Sequence, residues 1–182
     1  MSRYLDLWLC PSLKVQNVSF VDREFELTNR RVDILYQVQT ADIGDFYFHL
    51  EFQVELTPDF SVRMHEYSTR IRRELKLPVK TIVVFLDSTQ AIQELVPVDR
   101  CEFAGEFISE FRYTKIILAN EEWRRVLSQD FPSLWTLLPL TKIEKNDVQE
   151  ALGRAAEAIE KIPEKELRGE LAAIFYLLGG YM

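Results

Sequence analysis

Asp33 and Glu51 are the residues whose type and spacing point to chemistry. From Phe46 to Glu55 the chain alternates without a break. Phe46, Phe48, Leu50, Phe52 and Val54 fall on one face, and Tyr47, His49, Glu51, Gln53 and Glu55 on the other, the pattern of a strand with a dry side and a chemically loaded side. A second strand, Arg31 to Gln39, carries Asp33, and the polar stretch Ala41-Asp42-Ile43-Gly44-Asp45 between them reads as a hairpin turn. Antiparallel partners keep a constant index sum; 33 plus 51 is 84, and half of that, 42, lies inside the turn. Asp33 and Glu51 are therefore expected nearly opposite one another, with Cβ atoms about 4.5–5.5 Å apart. Two carboxylates at that distance repel unless a proton or a cation lies between them, and a hard divalent ion with oxygen ligands, Mg²⁺ or Mn²⁺, is the economical solution. The register decides this: moving the turn centre by one residue changes the index sum by two and takes Glu51 away from Asp33. The plainer alternative is a water-facing side of an antiparallel sheet, where acids are ordinary.

The wording of the surrounding residues adds to the spacing. Arg31-Val32-Asp33-Ile34-Leu35, His49-Leu50-Glu51-Phe52-Gln53 and Arg63-Met64-His65-Glu66-Tyr67 resemble the recombination-promoting nuclease / transposase family, a branch of the PD-(D/E)xK nuclease superfamily. The resemblance runs from about Val18 to Leu86, is strongest from Arg31 to Tyr67 and thins after Leu118. It implies that Asp33 and Glu51 are the metal-holding acids of the second and third core strands, and that the backbone carbonyl of Phe52 adds a metal ligand. Gln53 falls where most of the superfamily has lysine. Glutamine is neutral and can only donate or accept hydrogen bonds, so the resemblance implies that it orients water or phosphate and leaves the lysine's charge without a clear occupant. The branch commonly carries glutamine there. An N-terminal glutamate is also usual in the superfamily, but Met1 to Leu9 offers only about two helical turns and the acid Asp6. Glu24 and Glu26, on an expected strand from Val18 to Leu27, are the other acids nearby, with Glu24 read as supporting the site from behind and edge-strand polarity as the alternative.

The function implied is a Mg²⁺- or Mn²⁺-dependent DNA endonuclease, linked to recombination or mobile elements. Phosphodiester hydrolysis needs these residue types because the phosphate is anionic and repels hydroxide, so a metal must acidify water and neutralise charge. The alternative is a catalytically weak nuclease-like module that binds DNA or associates with itself.

The elements around these residues follow from periodicity. Thr57-Pro58-Asp59 opens a helix, with Thr57 as N-cap and Pro58 at the first position, and Pro78 closes it. Phe60, Met64, Tyr67, Ile71 and Leu75 form its buried stripe. From Phe60 to Lys80 six Lys and Arg residues stand against Glu66 and Glu74, a balance of +4 in a chain whose total is −7. The basic surface is local, which argues against indiscriminate coating of nucleic acid. Arg63 and Arg70 are read as the phosphate-backbone contact, with a solvated face paired Glu66 to Arg70 at i,i+4 as the alternative; the resemblance adds Tyr67 to the nucleic-acid contact, and Arg72, Arg73 and Lys76 are read as a solvated face. His49 shares the polar face of its strand with Glu51 and is read as ordering the site or as a structural histidine. No third His or Cys joins it at metal-ligand spacing.

The apolar run Val79 to Leu86 completes a β-α-β crossover, expected to be right-handed and parallel. Residues 87–105 read as a loop or a short helix around Gln90 to Leu95, and 108–118 as a further strand. From Asn120 the pattern turns helical over Glu121 to Gln129, Asp147 to Ile162 and a last helix opened by Pro163, whose stripe is Leu167, Leu171, Ile174 and Leu178. The fold class expected is α/β, a mixed central sheet with flanking helices and a C-terminal helical segment, divided as a nuclease-like core over 1–119 and a helical extension over 120–182. That extension caps the sheet, forms a homodimer or meets a partner. At 182 residues and 47% hydrophobic, with six Gly and seven Pro, the chain can bury a full core. Cys10 and Cys101 belong to no motif and are read as reduced thiols. With no run of about 20 apolar residues and no signal-peptide pattern, the expectation is a soluble, cytoplasmic protein without membrane contact.

Overall fold

The computed structural model describes residues 15–20, 33–128 and 132–180. It divides into two compact units, Met1–Ile116 and Ile117–Met182. The fold class is α/β, as the sequence indicates. The elements up to that boundary are β1 (Val15–Phe20), β2 (Ile34–Thr40), β3 (Phe46–Gln53), α1 (Phe60–Leu75), β4 (Val79–Phe85), a short α2 (Gln90–Glu94), β5 (Val98–Phe103), β6 (Glu106–Arg112) and β7 (Thr114–Ile117), whose last residue begins the second unit. Five strands form one sheet in the order β1-β2-β3-β4-β7, and β5 and β6 form a separate ribbon. The expected helix at Met1–Leu9, the residues 21–27 of the expected first strand, and with them Asp6, Glu24 and Glu26, lie outside the described residues.

The β2–β3 hairpin pairs Ile34 with Leu50, Leu35 with His49, Tyr36 with Phe48, Gln37 with Tyr47 and Val38 with Phe46. Every pair sums to 84. The turn that fixes this register is closed by the Thr40 hydroxyl, which donates to the Gly44 carbonyl at 2.7 Å and accepts from the Ile43 amide at 3.3 Å. Gly44 itself sits at φ 85°, where a side chain would be strained. Beyond β3 the chain crosses through α1 and returns as β4, which pairs with β3 in parallel, Tyr47 to Val79 through Gln53 to Phe85. The sheet is therefore mixed, antiparallel at β1-β2-β3 and parallel at β3-β4.

Three expectations about these elements need correction. The alternation of β3 does not separate a dry face from a wet one. Tyr47, His49 and Glu51 are as buried as Phe46 and Phe48, because α1 lies over the odd-numbered face. Leu35, Tyr47 and Ile71 form one apolar cluster there, with Leu75, Leu77 and Val79 against it. The alternation also stops early: β3 ends at Gln53, and Val54 is 55% exposed in the bend that follows. Nor does Thr57 cap α1. The Phe60 amide donates to the Thr57 carbonyl at 3.1 Å, so residues 57–60 make a turn and the helix starts after Asp59. At the other end Lys76 adopts φ 62° and its amide donates to Arg72 O at 2.9 Å, which closes the helix before Pro78. Arg72 and Arg73 stand in the last turn, where positive charge complements the helix dipole.

Downstream, the segment taken as a loop contains β5, joined to β6 by the two-residue turn Ala104-Gly105, both at positive φ. The strand expected over 108–118 is broken at Tyr113 into β6 and β7. Lys115 on β7 donates to the carbonyls of Ile92, Gln93 and Leu95 at 2.8 to 2.9 Å, satisfying the orphan acceptors at the end of α2.

The second unit contains α3 (Trp123–Leu127), α4 (Pro132–Trp135), α5 (Val148–Glu160) and α6 (Lys165–Gly179) with short 3₁₀ turns between them. Trp123, Leu138, Ala151, Ala155, Ile159, Ile162, Leu171 and Phe175 form its own core. The buried row of α6 is Leu171 and Phe175, with Leu167 partly covered, whereas Ile174 is exposed. Residues four apart lie on one face of a helix, so Phe175 continues the row begun by Leu167 and Leu171.

Ile71 is fully buried between α1 and the strand pair. Ile71→Ala is expected to cost about 2–5 kcal/mol, read as a shift in the urea midpoint with an unchanged slope.

Candidate metal and nucleic-acid site

The site is built at the end of the hairpin away from its turn, where β2 begins and β3 runs on toward α1. Asp33 immediately precedes β2. Its amide donates to Glu51 Oε2 at 3.4 Å, and its Oδ2 accepts from the Phe52 amide at 2.8 Å. The two acids are thus locked to each other's strand. Glu51 is 6% exposed and its Oε2 lies 3.3 Å from His49 Nε2. His49 is fully buried, with the Thr81 hydroxyl 3.4 Å from Nδ1 and the ring of Tyr67 edge-on at 5.9 Å. Both ring nitrogens are therefore engaged, and the imidazole is fixed behind the carboxylate.

Asp33 has its carboxyl pKa raised above its ordinary value. Burial is the largest cause, opposed by the hydrogen bond from Phe52, and the negative charge of Glu51 adds to the rise; His49 and Arg63 pull the other way. The two carboxylates offer hard oxygen donors of the kind Mg²⁺ prefers. The Phe52 carbonyl fits the same set. The Gln53 carbonyl accepts from the Leu86 amide at 2.9 Å on the β4 side, and since successive residues of a strand present their backbone groups to opposite sides, Phe52 presents its carbonyl on the side of Asp33. Among the described residues no group of three or more His, Cys, Asp or Glu side chains is arranged to hold a metal. Two carboxylates and a carbonyl would leave positions for water, as Mg²⁺ sites commonly do.

Gln53 follows on the same face. Its Oε1 accepts from Arg63 Nη2 at 3.1 Å, and its Nε2 donates to the Glu55 carbonyl. Arg63 reaches down from the first turn of α1, its guanidinium 5.0 Å from the centre of the Phe60 ring, with Nε buried and unpartnered. Arg70 is partly buried further along the helix, and Arg72, Arg73 and Lys76 are exposed. Tyr67, expected on the nucleic-acid surface, is only 6% exposed and braces His49 instead. The buried stripe of α1 takes it inward. His65 stands apart from the site: its Nδ1 is 2.7 Å from Asp99 Oδ2 and its ring stacks on Phe111 at 5.0 Å, tying α1 to the β5–β6 ribbon.

The structure thus gathers Asp33, Glu51, Phe52, Gln53, His49 and Arg63. Thr81 is a member that sequence reasoning missed. Its signal was a polar residue next to the apolar run Ile82 to Phe85 in a strand that pairs in parallel with β3.

These features define an α/β protein with paired carboxylates on a helix-covered mixed sheet. The family model described as "Putative transposase, YhgA-like" matches residues 3–167, and the chain belongs to that family. The match extends well past Leu118, so the helical unit is for the most part family sequence too. No curated protein and no solved structure matches the chain. Membership ties the chain to mobile elements and to DNA. Among the described residues no helix is long and apolar enough to cross a membrane.

The raised pKa of Asp33 sets a sign for stability. The folded state binds the proton to higher pH than the unfolded chain does, so stability is full below the unfolded pKa and falls as pH rises through the folded one. Asp33→Asn, which keeps an acceptor for Phe52, is expected to raise the melting temperature of the protein in EDTA at pH 8, with the gain fading toward pH 4. A wild type more stable than the variant at pH 8 contradicts this.

Proposed function

We propose that the chain is a Mg²⁺-dependent DNA endonuclease with a PD-(D/E)xK-like site that hydrolyses phosphodiester bonds of mobile-element DNA. The observation that carries the reading is the exchange at the open end of the hairpin, where the Asp33 amide donates to Glu51 Oε2 and Asp33 Oδ2 accepts from the Phe52 amide, next to a register whose pairs sum to 84. Mn²⁺ is the other ion that suits these donors.

In this reading the Asp33 and Glu51 carboxylates and the Phe52 carbonyl hold the ion. The bound ion supplies acidification of water and neutralisation of phosphate charge. Glu51 is kept in place by His49, whose second nitrogen is in turn occupied by Thr81, and such outer partners typically contribute about 10–100-fold to metal affinity or activity. Gln53 orients water or phosphate at the rim, and Arg63 and Arg70 face the phosphodiester backbone. Water adds to phosphorus and the bond to one ester oxygen breaks, leaving a phosphate monoester and a hydroxyl on the two ends. A neutral glutamine at position 53 favours a second reading, a DNA-binding module with weak catalysis or none.

Titration of Mg²⁺ and Mn²⁺ against plasmid and single-stranded DNA separates the two. Metal-dependent nicking is expected from the wild type, no detectable nicking from Asp33→Ala or Glu51→Ala, and a loss of about 10–100-fold from His49→Ala, with circular dichroism unchanged in each. A folded wild type that binds DNA but cuts nothing with either metal contradicts the enzyme reading and supports the binding module.

A further inference from the structure

Arg63 has an arrangement that a simple backbone contact does not require. An arginine beside two carboxylates ordinarily closes onto them as a bidentate pair. Arg63 does not: it makes no ion pair within 4.0 Å of Asp33 or Glu51, and its hydrogen bond among the described residues is to the neutral amide of Gln53, at 3.1 Å. That amide is itself tethered through its other end to the Glu55 carbonyl. The guanidinium lies over Phe60, and its Nε is buried without a partner. A buried donor left unsatisfied is costly, and a guanidinium has five N–H donors in a fixed fork that matches phosphate. The result is a cation held beside the acids, propped by position 53 and with donors to spare.

We infer that Arg63 and Gln53 act as a pair that places one positive charge on a phosphate of the bound DNA backbone: Arg63 makes the contact, and Gln53 is the positioning residue that keeps it off the acids. The charge comes from α1, while position 53 on the strand supplies only the prop. The inference rests on the same site as the proposed nuclease, but it concerns phosphate recognition and holds for a binding module equally.

The test is DNA binding in EDTA, followed by fluorescence anisotropy of a labelled duplex over a range of salt. Arg63→Met keeps the apolar stem over Phe60. It is expected to weaken binding about tenfold and to lower the salt slope by about one. Gln53→Ala removes no charge, yet it is expected to weaken binding by about threefold to tenfold, and the double variant Gln53→Ala/Arg63→Met should be no weaker than Arg63→Met alone. Arg63→Lys, with its charge but no fork, falls between wild type and Arg63→Met. Gln53→Lys in the Arg63→Met background is expected to restore affinity by setting a charge directly on the strand. Wild-type affinity in Arg63→Met, or additive losses in the double variant, overturns the inference. Cleavage assays on the same proteins keep the two readings apart. Nicking that survives Arg63→Met with unchanged affinity leaves the nuclease and removes the pair, whereas coupled losses of binding in a wild type that never nicks leave the pair and remove the nuclease.

Discussion

The register of one hairpin carries the rest of the molecule. A strand's side chains alternate faces with a period of two, so a slip of one residue between β2 and β3 would turn the whole polar row of β3 over. The index sum of 84 is held at one end by the Thr40 and Gly44 turn and at the other by the exchange between Asp33 and the residues Glu51 and Phe52. The same exchange that assembles the acids also staples the open end of the hairpin. Site and fold are one set of hydrogen bonds there, and the raised pKa of Asp33 shows that the arrangement is made at some electrostatic cost.

Placing acids on the covered face of a sheet is the second constraint. Glu51 and His49 are buried under α1 rather than set in solvent, which is why each has a named partner: Glu51 the imidazole and the Asp33 amide, His49 the Thr81 hydroxyl and the Tyr67 ring. A buried polar group without partners would be expensive. The apolar cluster of Leu35, Tyr47 and Ile71 lies at the turn end of the same face, and Arg63 and Gln53 close the opposite end. Along β3 the face therefore runs from a dry core, through a satisfied histidine, to charge at the rim. That gradient leaves Glu51 less solvated than a surface carboxylate and Asp33 exposed at the edge.

Much of this was legible in the sequence because period and spacing are written there directly. The turn centre at Asp42 gave the pairing, the apolar run after Pro78 gave the parallel β4, and the i, i+4 row of α1 gave the helix. What failed was whatever tertiary contact decides. The polar row of β3 left a water-facing side open as an alternative, because a strand does not reveal that a helix will cover its polar side. Tyr67 was placed on the DNA surface by the family resemblance, against the i, i+4 stripe that already counted it as buried. Val98 to Phe103 was missed because Asp99, Arg100 and Glu102 look like loop residues, and Ala104-Gly105 is a less familiar hairpin turn than Asn-Gly. Thr57 resembles an N-cap by type, yet the turn it makes starts the helix two residues later. The Gln53 to Arg63 bond lay beyond reach, since nothing in the spacing of 53 and 63 says that the loop between strand and helix brings them together.

The account stands on the acid pair being a cation site, and the most direct test is binding of Mn²⁺ itself, with no DNA present. Electron paramagnetic resonance of the free ion during a titration counts sites and gives their affinity. The account predicts a single site in the wild type that is lost in both Asp33→Asn and Glu51→Gln and weakened in His49→Ala, with all three proteins folded. No bound Mn²⁺ at millimolar concentrations, or binding that persists unchanged in both carboxylate variants, would contradict it.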